Sequence, residues 1–338
     1  NGRRRQRQMC IRDRSYIGAF FTLLVISAGA WVRLTDAGLG CPDWPGCYGI
    51  LSTPDTDDEI ARAKEFYPDA TIDVGKAWRE MFHRYLAGIL GLYVFFISFL
   101  TYKYAKHVSI FLPISLSALI IVQSLMGMLT VTELVKPTIV TTHLILGMST
   151  ACLLLWNGLR IGSISDTSSS KFNAFIKLCI VALVIQIILG GWTSTNYASL
   201  ACPDFPKCTE QWWPDNMNFD RGFTIFGLPD INYEVNHMEY YAKLAVHFTH
   251  RVGALLLSIL FLGLFAYIFF MQKSQKIKNI GYLILTFFSF QIYLGISNVV
   301  YSLPLNVAVL HTVNACILLM SMLILLFYTT YKVQDIKD

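Results

Sequence analysis

Charged residues are scarce in this sequence of 338 residues: they make up 14% of the chain, against about 25% in an ordinary soluble domain. Hydrophobic residues make up 54%, and the mean hydropathy is +0.50. This composition excludes an ordinary soluble globular protein. The formal net charge of +5 arises within the first fourteen residues, so the rest of the chain is neutral and offers no basic face for nucleic acid.

The arginine-rich tract at residues 1–15 lacks the features of a signal peptide. It has neither an apolar central region nor a small-residue cleavage site. We interpret the tract as a cytoplasmic flank or as sequence foreign to the protein, so the membrane topology is better judged from the residues beyond it.

Long apolar stretches recur along the chain. A bilayer core about 30 Å thick requires roughly 20 apolar residues at 1.5 Å each. Such spans must be helices, because in lipid every backbone polar group has to be satisfied internally. The sequence therefore predicts an all-α integral membrane protein with eight spans, at approximately Tyr16–Val32, Ala77–Tyr102, Val108–Val131, Thr138–Leu159, Phe172–Trp192, Tyr241–Phe270, Ile277–Tyr301 and Leu305–Tyr328.

The positions of lysine and arginine predict the orientation of the spans, because cytoplasmic loops carry an excess of both. The connections after the second, fourth and sixth spans are basic and contain Lys103, Lys106, Arg160, Lys171, Lys273, Lys276 and Lys278. The two long connections, at about 33–76 and 193–239, are rich in Asp and Glu. We expect a multi-pass protein with both termini in the cytoplasm and both long loops outside it.

Two cysteine pairs fall in these long loops, Cys41 with Cys47 and Cys202 with Cys208, each at a spacing of six residues. On an oxidising side of the membrane, two local disulfides are the simplest interpretation. A zinc site is the alternative, although neither loop supplies a close histidine partner.

The two halves of the chain resemble each other. Four features of the first half recur in order in the second: GLGCPDWPGC (38–47) as ASLACPDFPKC (198–208), His83-Arg84 as His250-Arg251, Gln123 as Gln291, and His143 as His311, twenty residues after its glutamine. This repeat predicts two tandem, pseudo-symmetric four-helix bundles, at 16–160 and 172–331. An even number of spans precedes the second unit, so both units have the same orientation in the membrane.

Four histidines occupy equivalent positions in the two halves: His83, His143, His250 and His311. Each lies about five or six residues inside the outer end of an even-numbered span, which is roughly 8 to 9 Å deep. A single intramembrane histidine could simply hydrogen-bond a neighbouring helix. Two per four-helix unit instead predict a haem iron held between paired imidazoles. We interpret the glutamines as hydrogen-bonded bridges between helices rather than as cofactor contacts.

The two halves differ at one candidate residue. Glu80 stands three residues before the first histidine of its half, on the same helical face, and His247 takes that position in the second half. A carboxylate at the rim of an apolar pocket can exchange protons, which makes the first unit the better candidate for chemistry. The alternative is that Glu80 sits in headgroup water and pairs with Arg79 or Arg84.

The motifs GAWVRLTDAGLGCPDWPGC, EMFHR, THLILG, VHFTHR and VLHTVNA follow in this order on the eight predicted spans. With them the sequence resembles the haem A synthase family from about Tyr16 to the C-terminus, and cysteine pairs in both halves are similar to its bacterial members. The resemblance implies an oxidoreductase in a bacterial plasma membrane. Its reaction would oxidise the C8 methyl of haem O to the formyl group of haem A, the cofactor of haem-copper terminal oxidases.

The resemblance also implies roles for individual residues. His250 and His311 would ligate a resident haem b in the second unit. His83 and His143 would face the iron of the substrate haem O in the first unit, with Glu80 as the catalytic carboxylate.

Arg84 and Arg251 stand beside two of these histidines, where a guanidinium could bind a haem propionate. An interfacial arginine that extends its charged end towards water is the alternative. The implied partners are the haem O synthase that supplies the substrate, an electron acceptor or donor, and membrane lipid, but no nucleic acid.

A di-haem b-type cytochrome that oxidises quinol would use the same four histidines, and composition and spacing do not exclude it. The presence of Glu80 in one unit alone disfavours this function, because an electron carrier needs no such asymmetry. A transporter is disfavoured because the sequence shows no Gly- or Pro-broken helices at the membrane midplane.

Overall fold

Helices make up nearly all of the computed structural model, which describes residues 2–166, 171–234 and 238–333. They are α1 (Gly2–Leu34), α2 (Asp57–Phe66), α3 (Val74–Tyr104), α4 (Phe111–Thr132), α5 (Pro137–Ile161), α6 (Lys171–Thr195), α7 (Phe219–Gly222), α8 (Tyr240–Ala266), α9 (Gln275–Val300) and α10 (Leu305–Thr330). A π-helical turn, Tyr267–Met271, extends α8. Among these described helices, eight are long and apolar enough to cross a membrane: α1, α3, α4, α5, α6, α8, α9 and α10.

Each of the eight long helices corresponds to one predicted span, so the prediction of a multi-pass membrane protein is confirmed. The ends differ by a few residues, except at α1, which begins at Gly2 rather than near Tyr16. The arginine-rich tract therefore forms the first turns of α1. A hydropathy criterion detects only the part of a helix that suits lipid, whereas the backbone hydrogen bonds continue beyond it.

The helices in and beside the first long loop begin at local capping signals. At α2, Thr56 and Glu59 form a reciprocal capping box. At α3, the Asp73 side chain accepts from the backbone N–H of Lys76. These caps set the start of α3, the helix that carries Glu80 and His83.

The first four membrane helices pack in a closed ring, in which α1 and α4 each contact both α3 and α5. Among the last four, α6 contacts α8 and α10, α9 contacts α10, and the π turn after α8 reaches α9. The two sets meet where α10 contacts α1 and α5, and where α5 contacts α6. A large apolar core lies across this junction and joins Ala151 of α5 to Phe261 of α8 and Leu318 of α10.

A small sheet adds to the predicted all-helical architecture. Strand β1 (Ser163–Asp166), which follows α5, pairs antiparallel with strand β2 (Tyr331–Val333), which follows α10. Strands of three and four residues are too short to show the alternation of polar and apolar residues that predicts a strand. Each strand also pairs with a segment in the other half of the chain, which a local pattern does not reveal. The sheet ties together the last helices of the two halves.

Both cysteine pairs form the predicted disulfides, Cys41–Cys47 and Cys202–Cys208. Within the described residues, no group of three or more His, Cys, Asp or Glu side chains is arranged to hold a metal ion. The zinc alternative therefore has no support. We call the end of the bundle that carries both disulfides the disulfide end.

The two disulfide loops also share their internal hydrogen bonds. Asp43 accepts from the backbone N–H groups of residues 48 and 49, and Asp204 accepts in the same way from residues 209 and 210. Burial acts to raise the pKa of Asp204, but the N–H groups of Glu210 and Thr209 hold it below its usual range. The sequence repeat is thus a structural repeat in these loops.

Two contacts at the disulfide end join residues at equivalent positions of the repeat. Arg33 donates to the backbone oxygen of Ser194 (2.7 Å), and the Tyr197 hydroxyl donates to Asp36 (2.8 Å); each pair is 161 residues apart. Burial raises the pKa of Tyr197 to about 12, so the hydroxyl keeps its proton. Contacts between equivalent residues occur on the axis of a two-fold pair, which supports the hypothesis of tandem units.

Candidate functional site

A cavity of about 1440 Å³ lies between the membrane helices. Ordinary ligand pockets measure about 300–1,000 Å³, so this space suits more than one small ligand. Every residue expected to contact haem or substrate lines it: Glu80, His83, Arg84, His143, His250, Arg251 and His311. The structure thus brings the two sets of predicted site residues into one continuous space.

The four histidines form two pairs inside this cavity. His83 on α3 and His143 on α5 are close enough to interact electrostatically, and so are His250 on α8 and His311 on α10. Each pair therefore belongs to one half of the chain, as the sequence spacing predicts.

Each histidine ring lies against a glycine on a neighbouring helix. A Cβ placed on that glycine would approach the ring Cε1 to between 2.9 and 3.3 Å, in the pairs Gly29–His83, Gly127–His143, Gly190–His250 and Gly295–His311. Contacts this short would displace the ring. These glycines were not recognised from the sequence. Each lies in an apolar span, where glycine destabilises a helix relative to alanine and therefore usually marks a close packing contact.

Gln123 and Gln291 bridge helices as predicted. Each donates from Nε2 to the backbone oxygen of the histidine twenty residues later, at 3.1 Å in both cases. Asn314 donates to the Gln291 side chain (2.7 Å) and fixes its orientation. The two glutamines therefore hold α4 to α5 and α9 to α10 at the level of the histidines.

A third glutamine, Gln186 on α6, also contacts a histidine. Its Nε2 donates to the backbone oxygen of His250 (2.8 Å) and lies 3.0 Å from Nδ1 of the same ring. The repeat gives no warning of this contact, because the equivalent position in the first half is Val25. The signal available in the sequence was an amide within the apolar stretch between Lys177 and Trp192.

The site suits a haem on grounds of its donor set. Each pair supplies two imidazoles in a mostly apolar cavity, which is how a bundle holds an iron with two axial ligands. The Nδ1 atoms of His83 and His143 are buried with no hydrogen-bond partner among the described residues. Buried polar atoms without partners are rare in folded proteins and point to a functional role.

Glu80 is buried at the disulfide end of the cavity, with 4% of its surface exposed. Its Oε2 accepts from the backbone N–H of Cys41 (2.8 Å), and its Oε1 forms an ion pair with Arg84. Arg79 instead donates to the backbone oxygen of Gly75. Glu80 therefore pairs with Arg84, as one of the two interpretations expected, but it is buried and not exposed to headgroup water.

His247 holds the second disulfide loop as Glu80 holds the first. Its Nδ1 accepts from the backbone N–H of Cys202 (3.2 Å), and its Nε2 lies 3.3 Å from Nε of Arg251. Glu80 lines the cavity, whereas His247 is not among the described residues that do. Glu80 and His247 thus both accept from the backbone N–H of a cysteine in a disulfide loop, but Glu80 also presents a carboxylate to the cavity.

Arg84 and Arg251 fasten the disulfide loops to the helices. Nη1 of Arg84 donates to the backbone oxygens of residues 43, 45 and 46. Arg251 donates from Nη1 to the oxygens of residues 204 and 207 (2.8 and 2.7 Å) and from Nη2 to that of residue 202 (2.8 Å). A propionate would have to share these donors, and its binding by either arginine stays a prediction.

The second long loop reaches across to the first half. The backbone N–H of Leu39 donates to Oε1 of Glu234 (2.9 Å), and Lys136 forms an ion pair with Asp230 (2.8 Å). Burial raises the pKa of Glu234. The sequence could not show this contact, because it joins segments almost two hundred residues apart.

Comparison with known proteins places the chain in a family. The model of the COX15-CtaA family, described as cytochrome oxidase assembly protein, matches residues 14–323. The chain belongs to this family. A relative from Shewanella oneidensis, named heme A synthase, is 42% identical over 316 residues, which cover 92% of this chain and 94% of the relative.

Two more distant relatives carry the same name. A heme A synthase from Neorickettsia sennetsu is 26% identical over 88% of this chain and 92% of its own length. Another, from Ehrlichia ruminantium strain Gardel, is 28% identical over 93% of this chain and 91% of its own length. The similarity therefore covers both halves of the chain and both long loops.

Proposed function

We propose that the chain is an oxidoreductase that converts the C8 methyl group of haem O to the formyl group of haem A. The observation that carries the proposal is that four histidines and Glu80 line one apolar cavity in a chain 42% identical to a heme A synthase. The product would serve haem-copper terminal oxidases, in keeping with the description of the family as cytochrome oxidase assembly proteins. The alternative, a quinol-oxidising cytochrome, has no support among these relatives.

The two sets of four helices would each hold one haem. In this proposal 16–160 is the substrate unit, in which His83 and His143 face the iron of haem O. Residues 172–331 are the electron-transfer unit, in which His250 and His311 ligate a resident haem b. Support comes from the closed packing of the first four helices, the pairing of the histidines, and the presence of a cavity-lining carboxylate in the first set alone.

Written as a half-reaction, the conversion of methyl to formyl formally consumes one water and releases four protons and four electrons, which the separate electron carrier would accept. A resident haem b, when bound, supplies one-electron transfer over a short distance. The protons need an acceptor beside the reacting carbon. Each carboxylate oxygen of Glu80 keeps lone-pair capacity beyond its contact with Cys41 or Arg84, so Glu80 can accept a proton without releasing the disulfide loop.

Other residues of the chain orient the substrate and exclude water. Gly29 and Gly127 leave the space in which the rings of His83 and His143 stand. Trp44 and Leu51 of the first long loop also line the cavity, and they would shield the reacting edge from bulk water. The substrate is a large apolar plate, so entry from the lipid side suits a cavity between membrane helices.

The topology and partners belong to the same proposal. Both termini would lie in the cytoplasm of a bacterial cell, and the disulfide end would lie outside the plasma membrane, where disulfides persist. The haem O synthase that supplies the substrate and a separate electron carrier would be its partners.

Haem extraction and chromatography test this function in cells that make haem O, with and without the protein. We expect haem A, or its alcohol precursor, only in cells that express it. If haem O stays unchanged while the purified protein carries b-type haem and a redox partner is present, the quinol-oxidising cytochrome becomes the better account.

A further inference from the structure

Gln186 distinguishes the His250 site from its counterpart in the first half. Its amide touches both the backbone oxygen and Nδ1 of His250, at 2.8 and 3.0 Å. Gly190, one turn further along α6, borders the same ring at Cε1. The His250 ring is therefore held between two positions of one helix.

The space for this amide depends on a second residue. A Cβ on Gly253, three residues after His250 on α8, would collide with Oε1 of Gln186. In the first half the two equivalent positions carry Val25 and Leu86, which belong to one apolar cluster. The second half thus carries Gln186 and Gly253 where the first half carries Val25 and Leu86. The absence of a side chain at Gly253 leaves the space that the Gln186 amide occupies.

The Oε1 atom of Gln186 is buried and has no hydrogen-bond partner among the described residues. An imidazole that binds iron through Nε2 carries its proton on Nδ1 and needs an acceptor there. A glutamine amide offers a donor nitrogen and an acceptor oxygen on one rotatable group. Turning that group towards the ring supplies the missing acceptor and gives Oε1 its partner, in exchange for the hydrogen bond that Nε2 donates to the His250 backbone oxygen.

We propose that Gln186 is the positioning residue of the resident haem: it fixes the ring of His250 and accepts a hydrogen bond from Nδ1–H when Nε2 is bound to iron. This inference rests on the proposed function only in that a haem occupies the His250–His311 site. It makes the two haem sites unequal, because the position equivalent to Gln186 in the first half carries Val25, whose side chain has no acceptor. Stronger electron donation by His250 would favour the oxidised iron of the resident haem.

The test uses the full-length protein, purified with haem b from cells that make no haem O. Gln186→Val installs the residue of the first half, and Gln186→Glu keeps an acceptor and strengthens it. We expect Gln186→Val to raise the midpoint potential, with about a tenfold change in the ratio of oxidised to reduced haem, which is about 59 mV for one electron. Haem affinity should fall by about tenfold. Gln186→Glu should shift the potential in the opposite direction.

Two further variants control for a general loss of structure. Gly253→Ala keeps Gln186 but places a Cβ 2.3 Å from its Oε1, which displaces the amide from the His250 ring, so it should shift the potential in the same direction as Gln186→Val. Val25→Leu, at the equivalent position in the first half, should leave the potential of the resident haem unchanged.

The role of Gln186 is overturned if Gln186→Val keeps the original potential, or if the Val and Glu variants shift it in the same direction. Gly253→Ala decides the question if the Gln186 variants do not assemble. Unaltered protein that binds no haem would instead refute the proposed function, so the two failures are distinguishable.

Discussion

Replacement of Glu80 separates its structural role from its chemical one. The carboxylate accepts from the backbone N–H of Cys41 and pairs with Arg84, and only 6% of the Glu80 side chain and 12% of the Arg84 side chain are exposed. Glu80→Ala leaves a buried guanidinium without its counter-ion and a buried N–H without an acceptor. Removing one partner of a buried ion pair costs about 3–5 kcal/mol, so we expect a loss of that size in the free energy of unfolding.

Glu80→His copies the residue that the second half places there. His247 accepts from the backbone N–H of Cys202, so a histidine at position 80 can hold the first disulfide loop in the same way. We expect it to cost less than about 2 kcal/mol, within the range of one altered hydrogen bond to a charged group. Both variants should nevertheless stop the formation of haem A, because an imidazole at this position is expected to replace the contacts of the carboxylate but not its proton chemistry.

Denaturant titration in detergent measures the stability of the two variants, and haem chromatography measures the conversion. Normal haem A yield from Glu80→His would remove Glu80 from the chemistry and leave it as a structural residue. Unchanged stability of Glu80→Ala would refute the description of a buried, paired carboxylate.

Three other outcomes are expected from the structure. Gly29→Ala places a Cβ 2.9 Å from Cε1 of His83 and should lower haem A yield by at least about tenfold. The control variant Gly263→Ala makes an ordinary 3.6 Å contact with Phe175 and should leave the yield unchanged. Equal yields from the two variants would show that the His83 ring tolerates displacement. Cys41→Ser with Cys47→Ser should lower the free energy of unfolding by about 2 kcal/mol, because the disulfide closes a loop with a sequence separation of six. A reducing agent should destabilise the unaltered protein and have less effect on the double variant. Because burial raises the pKa of Glu234, its protonated form stabilises the fold, and this stabilisation is lost as the pH rises from about 4 through the folded pKa. Glu234→Gln should reduce that loss when melting temperatures are measured over a pH series. An unchanged pH profile would contradict the burial of Glu234.

The sequence was sufficient to predict the eight spans, because a span is a local property: enough apolar residues to cross the bilayer on one helix. The internal repeat added the equivalence of the four histidines, since a duplicated unit conserves order and spacing. The disulfides followed from a spacing of six residues in loops expected to face an oxidising compartment. These predictions used either local composition or comparison of the chain with itself.

The contacts that the sequence could not predict join helices that are distant along the chain. Gln186 reaches His250 over 64 residues, and Glu234 reaches Leu39 over 195. Their partners depend on how α6 packs against α8 and how the second loop folds over the first half, and neither is encoded in a period or a motif. The glycines beside the histidines were missed for the same reason, because an absent Cβ has meaning only beside the group that fills its space.

The burial of Glu80 also depended on tertiary structure. Its position near the end of a span suggested either a pocket or headgroup water. The first disulfide loop decides between these environments, because Arg84 fastens that loop to α3 and the N–H of Cys41 caps the carboxylate.

The haem composition of purified single-histidine variants tests the central claim most directly, which is that two histidine pairs hold two haems with different roles. Protein made in cells that supply haem O would be purified as His83→Ala and as His250→Ala, and its haems extracted and separated. We predict that His83→Ala keeps haem b with its low-spin absorbance but loses haem O and haem A, whereas His250→Ala loses the haem b. Loss of haem b from His83→Ala with full retention in His250→Ala would contradict the assignment of the two sites.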